Sequence, residues 1–267
     1  MTTWPHIKID NWTDFVKFID SLNVESSYLS HWAFRGQSVS SWTLKSSISR
    51  LLERHSIGRQ LGDRFELTIF REFLSKAHLY EDFKLRQFET GNTFLTFTIM
   101  QHYGCPTRLL DWTSSPYVAL YFAVNNDFSN DGAVYLFNET ALNNENKDER
   151  FTNGDAIFFN DEESDHIQVF MANFATRRLN SQQGVFSIGA NIDKDHEELI
   201  YKSLINKNTK ERSYFVKLII DKQIKIECLA KLKTMNVRAD QLYPDLYGFS
   251  SSLKDLLEIR GWEKGQQ

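Results

Sequence analysis

Two short stretches of the chain carry side chains suited to phosphate or ribose groups. The first is Arg35-Gly36-Gln37, in which a guanidinium able to hold two oxygens precedes a glycine that lets a ligand approach the backbone. The second is Thr113-Ser114-Ser115, three hydroxyl side chains placed directly before Pro116. Proline favours the first helical position and serine favours the cap, so a helix is predicted to begin here. Only one of the three hydroxyls is needed as the cap, so the other two are left for a ligand. Hydroxyls at a helix start favour an anionic ligand.

Hydrophobic periodicity predicts the elements that position these stretches. A strand at residues 32–34 leads into the first stretch, and a strand at residues 107–112 leads into the second. Other strands are predicted at residues 133–137, 157–159, 184–188 and 213–220. Helices are predicted at residues 9–22, 59–85, 94–103, 116–124, 166–174, 224–235 and 246–257, and residues 42–50 and 142–153 are expected to be irregular or short helices. The chain shows no repeat or linker, which indicates a single α+β domain.

The composition is that of an ordinary soluble globular protein. The chain has 267 residues, of which 41% are hydrophobic and 25% charged, and its net charge is −4. It lacks an apolar run of about 18 residues and a signal-peptide pattern, so no membrane contact is expected. Cys105 and Cys228 lack metal-ligand spacing and favour a reducing, cytoplasmic location. The negative net charge argues against a broad basic groove for nucleic acid, and leaves local clusters such as residues 207–212.

The sequence lacks several common catalytic and cofactor-binding motifs. The sequence contains no phosphate-binding loop ending in Gly-Lys-Ser/Thr, no Gly-x-Gly-x-x-Gly, no His-Glu-x-x-His and no Cys-x-x-Cys. It also contains no Gly-x-Ser-x-Gly nucleophile elbow. These absences argue against an ATPase, a dehydrogenase of the usual type, a metalloprotease and an α/β-hydrolase, and no metal is expected.

Phe34-Arg35-Gly36-Gln37 and the block Thr107-Arg108-Leu109-Leu110-Asp111-Trp112-Thr113 resemble the FRG domain family, which is named for its Phe/Tyr-Arg-Gly motif. The likeness continues in Trp42-Thr43-Leu44, Ser49-Arg50, Arg178-x-x-x-Gln182-x-Gly184-x-Phe186 and Leu242-Tyr243-Pro244-Asp245-Leu246. The resemblance implies one FRG-type domain over residues 1–267. Its motif core would span about residues 9–137, with late strands and a C-terminal helix at residues 157–260.

The order of elements is also similar to ADP-ribosyltransferases of the Arg-Ser-Glu class. Arg35-Gly36 matches their first motif and Thr113-Ser114-Ser115 resembles the second. Their third motif carries a glutamate, and this chain has Gln182-Gln183 at that place. The likeness implies an α+β single domain with an ADP-ribosyltransferase-like split β-sheet core and flanking helices, and NAD as the substrate.

This likeness implies roles for ten residues. Arg35, Thr113 and Gln182 would be catalytic, with Gln182 in the place of the glutamate and Arg35 holding phosphate or ribose. The residues that would bind NAD are Arg35, Gly36, Gln37, His102, Arg108, Asp111, Thr113, Ser114 and Tyr121. Arg108 and Asp111 would brace the pocket. An alternative makes Arg35 and Asp111 a structural ion pair, His102 a structural histidine, and Trp112 and Tyr121 core residues.

The function implied is that of an NAD-dependent mono-ADP-ribosyltransferase-like toxin in bacterial or anti-phage defence, with RNA, DNA or protein as the acceptor and an antitoxin protein as a possible partner. Two alternatives stay open: an NAD glycohydrolase that depletes NAD, and a non-catalytic nucleotide- or nucleic-acid-binding module. The acidic pairs Glu162-Glu163 and Glu197-Glu198 are interpreted as solvated faces, although either pair could supply the missing carboxylate.

Overall fold

A computed structural model of the protein describes residues 4–25, 32–80, 93–147, 164–171, 177–207 and 213–265. Its strands are β1 His6–Ile9, β2 Trp32–Gln37, β3 Leu109–Thr113, β4 Gly132–Asn138, β5 Ile167–Phe170, β6 Gly184–Gly189 and β7 Phe215–Ile220. They form one sheet in the order β1-β7-β4-β2-β3-β6-β5. β1 and β7 are parallel, and every other neighbouring pair is antiparallel. The mixture of α and β structure predicted from the sequence is confirmed.

Helices cover both faces of the sheet. They are α1 Trp12–Glu25, α2 Ser47–Arg54, α3 Arg59–Lys76, α4 Thr93–His102, α5 Pro116–Val124, α6 Glu139–Glu145, α7 Arg177–Ser181, α8 His196–Leu204, α9 Lys225–Thr234, α10 Ala239–Leu242 and α11 Leu246–Gly265. Alternation along β4 sends Val134 and Leu136 into the core under α1, α5 and α9, while Tyr135 and Phe137 enter the core under α6 and α8. Among the described helices, none is long and apolar enough to cross a membrane.

The sheet is weakly joined between β2 and β3. β2 pairs with β4 over six residue pairs, whereas it pairs with β3 only at Phe34 and Thr113. Beyond that pair, β2 and β3 are joined by a side chain: Arg35 Nη1 donates to the main-chain oxygen of Asp111 at 2.6 Å. The gap between β2 and β3 therefore opens in the middle of the sheet.

The start of α5 follows its local sequence. Ser115 caps the helix by accepting from the Val118 amide at 3.3 Å, and Pro116 occupies the first position. The helix packs so closely on β2 that a Cβ added at Gly36 would lie 1.8 Å from the main-chain oxygen of Ala119. Gly36 is therefore required by the contact between helix and strand.

A buried chain of hydrogen bonds joins β3, β6 and α8. The Trp112 indole donates to Ser187 Oγ at 2.7 Å, Ser187 Oγ lies 2.7 Å from His196 Nδ1, and His196 Nε2 lies 3.1 Å from the main-chain oxygen of Arg108. The carbonyl can only accept, so Nε2 carries the proton and Nδ1 accepts from Ser187. Burial lowers the pKa of His196 to about 4, and the ring is neutral. The interpretation of Trp112 as a core residue is confirmed.

Most predicted elements are confirmed, with the following exceptions. The helix predicted at residues 166–174 is wrong, because β5 occupies this region and buries Ile167 and Val169 in alternation. β2 runs to Gln37, so Arg35-Gly36-Gln37 lies within the strand and not after it. β1, α7, α8 and α10 were not predicted. The strand predicted at residues 157–159, and the predicted helix after residue 80, lie outside the described residues.

Candidate functional site

Two cavities meet where β2 and β3 separate. The smaller one, here called the cleft, has a volume of about 260 Å³ and lies between the two strands. The larger one, the outer cavity, has a volume of about 830 Å³ and extends from β2 to α11. Arg35, Gly36, Phe122 and Tyr243 line both. A single elongated ligand can therefore occupy both cavities and pass over Arg35.

Arg35 is positioned in the middle of β2 and has unused hydrogen-bonding capacity. Its Nη1 donates to the main-chain oxygen of Asp111, while its Nε is buried without a hydrogen-bond partner in the described part of the chain. No carboxylate among the described residues forms an ion pair with it. Burial lowers the pKa of Arg35, and the nearby Asp111 carboxylate opposes this effect. A half-buried guanidinium with no counter-ion is a binding site for an anion.

Asp111 does not form the ion pair with Arg35 that was considered from the sequence. Its side chain is exposed on β3, and its carboxylate accepts from Gln101 Nε2 at 2.9 Å. Gln101 is itself held by the hydroxyl of Thr107. The carboxylate is thus oriented by an amide and borders the cleft.

Arg108 lies outside both cavities, which corrects its assignment to NAD binding and to bracing the pocket. The residue is 1% exposed, and its Nε donates to Glu66 Oε2 at 2.6 Å. Nη2 lies 2.8 Å from Asp63 Oδ1, and Nη1 donates to the main-chain oxygen of Ala190 at 3.1 Å. Every part of the guanidinium is engaged within the protein. Arg108 anchors α3 to the sheet.

The three hydroxyls at and directly after the end of β3 all have partners within the protein. Thr113 Oγ1 donates to the main-chain oxygen of Gln182 at 2.7 Å and accepts from the Ser115 amide at 3.0 Å. Ser114 Oγ donates to Gln183 Oε1 at 3.3 Å, and Ser115 caps α5. Thr113 borders the cleft, whereas Ser114 lines neither cavity. The hydroxyls join α5 to the turn at residues 182–183 and leave Thr113 at the cleft wall.

Gln182 and Gln183 lie in a turn between α7 and β6. Gln183 has a positive φ of 48°, so the two side chains do not alternate as they would along a strand. Gln182 lines the cleft together with Arg35 and Thr113, and Gln183 does not. Gln182 Nε2 donates to the main-chain oxygen of Leu242 at 3.2 Å, which leaves Oε1 as the acceptor for a ligand.

His102, Gln37 and Tyr121 border the cavities in different ways. His102 ends α4 at the cleft, and partial burial together with Arg178 lowers its pKa, which favours the neutral ring. Gln37 lines the outer cavity and has a buried Oε1 without a partner in the described part of the chain. Tyr121 is almost fully buried and donates to Asp255 Oδ2 at 2.8 Å. Burial raises the pKa of Tyr121, which indicates a structural tie between α5 and α11.

Three further residues of the cleft were not assigned from the sequence. Gln101 orients Asp111, and the Arg178 guanidinium lies 4.6 Å from the centre of the Tyr243 ring. The sequence contained a signal for their place in the site. Arg178 and Tyr243 belong to the blocks that carry the FRG resemblance, and Gln101 lies six residues before Thr107, the first residue of another such block.

Of the remaining acidic candidates, the two that the structure describes do not contribute to the cleft. Glu197 and Glu198 begin α8 and line neither cavity. Residues 162–163, and residues 208–212 of the basic cluster, lie outside the described residues. Within the described ranges, no group of three His, Cys, Asp or Glu side chains could hold a metal ion, and both cysteines are free thiols.

Comparison with known families identifies one domain. The family model of the FRG domain matches residues 30–132. This range runs from before β2 to the first residue of β4 and includes Arg35, Asp111 and Thr113. The resemblance drawn from the sequence motifs is thereby confirmed. No curated protein and no solved structure matches the chain.

Proposed function

Because the chain carries an FRG domain at residues 30–132, with an arginine at the meeting point of two cavities, we propose that it is an NAD-dependent mono-ADP-ribosyltransferase-like effector that modifies a macromolecule. The observation that carries the proposal is the state of Arg35. In the described part of the chain, its guanidinium has a buried nitrogen without a hydrogen-bond partner and forms no ion pair with a carboxylate. A toxin role with an antitoxin partner belongs to the same proposal.

The two cavities fit the two halves of NAD. Arg35 at their junction suits the diphosphate that links the halves, because a guanidinium binds phosphate oxygens in pairs. The cleft suits the nicotinamide ribose. The outer cavity suits the adenosine half: its volume of about 830 Å³ is in the range of small-molecule sites, and its wall includes the indole of Trp42, which is 54% exposed. An exposed aromatic ring provides a stacking surface for a base.

The residues of the cleft can favour cleavage of the bond between ribose and nicotinamide. When this bond breaks, the electron pair leaves with nicotinamide and positive charge develops on the ribose. Gln182 Oε1 would accept from a ribose hydroxyl, and Thr113 would hold the turn that carries Gln182. A neutral His102 adds no positive charge beside the developing cation. Arg35 would fix the diphosphate, so that the rate enhancement comes from positioning.

One observation favours hydrolysis as a second candidate function. The Asp111 side chain at the cleft is exposed to solvent, so water reaches the place where the ribose would lie. If water is the acceptor, the products are ADP-ribose, nicotinamide and a proton, and the protein is an NAD glycohydrolase.

The test is incubation of the full chain with NAD labelled in the adenylate phosphate, together with separate pools of RNA, DNA and protein. We expect label on one of the macromolecular pools and an equal amount of released nicotinamide. Free ADP-ribose without labelled macromolecule would identify the hydrolase. Saturable NAD binding without nicotinamide release would indicate a non-catalytic binding module, and absence of binding would refute the proposal.

A further inference from the structure

One acidic residue lines the cleft among the residues that the structure describes, and it is Asp111. The other ionisable groups of the cleft wall are the guanidinium groups of Arg35 and Arg178, the neutral ring of His102 and the phenol of Tyr243, whose pKa is raised by burial. Gln182, at the place of the transferase glutamate, has no charge. A cation that develops in this cleft therefore has one anionic group beside it.

The strand places Asp111 close to the residues assigned to the ribose. Side chains alternate along β3, so Asp111 and Thr113 lie on the same face of the strand. Thr113 contacts the main-chain oxygen of Gln182 at 2.7 Å. Across the gap, Arg35 Nη1 holds the main-chain oxygen of Asp111 itself at 2.6 Å. The carboxylate thus borders the same cleft as Gln182 and Arg35 and stands on a fixed backbone.

The carboxylate is oriented without being neutralised. Gln101 Nε2 donates to it at 2.9 Å, and no lysine or arginine in the described ranges forms an ion pair with it. The other carboxylates, Glu53 and Asp255, line the outer cavity and not the cleft; Glu53 also pairs with Lys45 at 2.7 Å, and Asp255 accepts from a tyrosine hydroxyl. Asp111 is the described carboxylate that borders the cleft without forming an ion pair.

We infer that Asp111 is the catalytic carboxylate of the cleft and stabilises the positive charge that develops at ribose C1′ as nicotinamide departs. The inference rests on the proposed function and deepens it. In the step, the C1′–nitrogen bond breaks and its electron pair leaves with nicotinamide. A lone pair of the acceptor then forms the new bond to C1′, and the acceptor releases its proton to solvent. Asp111 forms no bond in this step and is unchanged at the end.

The test compares Asp111→Asn with the wild-type chain in nicotinamide release and in NAD binding by calorimetry. Asparagine has nearly the same shape, and the side chain is exposed, so the fold is retained. We expect kcat to fall on the order of 10²–10³-fold, as for loss of one preorganised electrostatic group, with Kd for NAD within about threefold of wild type. Asp193→Asn, an exposed aspartate outside the cleft, is the matched control and should leave both values unchanged.

The possible contrary results are distinguishable. If wild type and Asp111→Asn release nicotinamide at the same rate, the role of Asp111 is overturned and the NAD chemistry stands. If Asp111→Asn weakens NAD binding as much as it lowers turnover, Asp111 contributes to binding and the catalytic role is overturned. If the wild-type chain binds NAD but releases no nicotinamide, or does not bind it, both proposals are overturned.

Discussion

Replacement of Glu66 with glutamine would remove the buried negative charge that neutralises Arg108. Glu66 is fully buried, and its Oε1 and Oε2 accept from the Arg108 amide at 3.1 Å and from Nε at 2.6 Å. Burial raises the pKa of Glu66 and Arg108 lowers it, but donors on both oxygens require the ionised form. Glutamine would turn an NH₂ group toward one of these donors. Breaking a buried ion pair lowers the free energy of unfolding by about 3–5 kcal/mol. Because Asp63 Oδ1 remains 2.8 Å from Arg108 Nη2, we expect the loss to be about 3 kcal/mol.

The assay is urea unfolding followed by tryptophan fluorescence, with the free energy of unfolding extrapolated to water. Asp63→Asn is the matched control, and because Asp63 is half-buried its loss should cost less than Glu66→Gln. Asp111→Asn should cost less than about 1 kcal/mol, because its carboxylate is exposed and is held by an amide. A Glu66→Gln variant within 1 kcal/mol of wild type, or an Asp111→Asn variant as unstable as Glu66→Gln, would refute the reasoning.

Three further predictions concern stability and the turn at the cleft. The pKa of His196 is about 4 in the folded chain and 6.5 ordinarily, so between pH 6.5 and pH 4 the unfolded chain binds more protons than the folded chain. About 3 kcal/mol of the free energy of unfolding should therefore be lost as the pH falls through this window. Urea unfolding at several pH values checks this, and His196→Asn should remove this part of the pH dependence. Gly36→Ala should lower the melting temperature or prevent folding, because its Cβ would meet the Ala119 oxygen, and a melting temperature equal to wild type would contradict that packing. Gln182→Ala should reduce NAD turnover far more than Gln183→Ala, because only Gln182 lines the cleft, and the reverse order of effects would contradict its placement.

Local signals account for the parts of the fold that could be predicted from the sequence. Ser115 and Pro116 define the start of α5 through the cap and the fixed φ of proline, which need no distant contact. The strands β4, β6 and β7 show enough β-branched and aromatic residues to be recognised. β5 was mistaken for a helix because it is short and lies at the edge of the sheet, where four residues carry little periodicity.

The partners of charged residues could not be predicted in this way. Arg108 and Asp111 lie on one short stretch, which favoured a shared role, yet the counter-ion of Arg108 is Glu66, 42 residues earlier in the chain. Glu66 occurs within a run of apolar residues in α3 and points inward, while the neighbouring Phe65 is exposed. Which of these two side chains points inward is decided by the packing of α3 on the sheet. The limited pairing of β2 with β3 likewise depends on the whole sheet, and without it the cleft cannot be recognised.

The most direct test of the central claim is NAD binding and nicotinamide release by Arg35→Lys, with Arg64→Lys, an exposed arginine of α3, as the control. Lysine keeps the charge but loses the planar pair of donors. The loss of one charge-assisted hydrogen bond, about 1.5–3 kcal/mol, predicts NAD affinity about 10–100-fold weaker, with nicotinamide release reduced accordingly. The melting temperature should stay close to that of wild type. Wild-type affinity and turnover in Arg35→Lys, or loss of its fold, would show that Arg35 is part of the scaffold and does not bind the substrate.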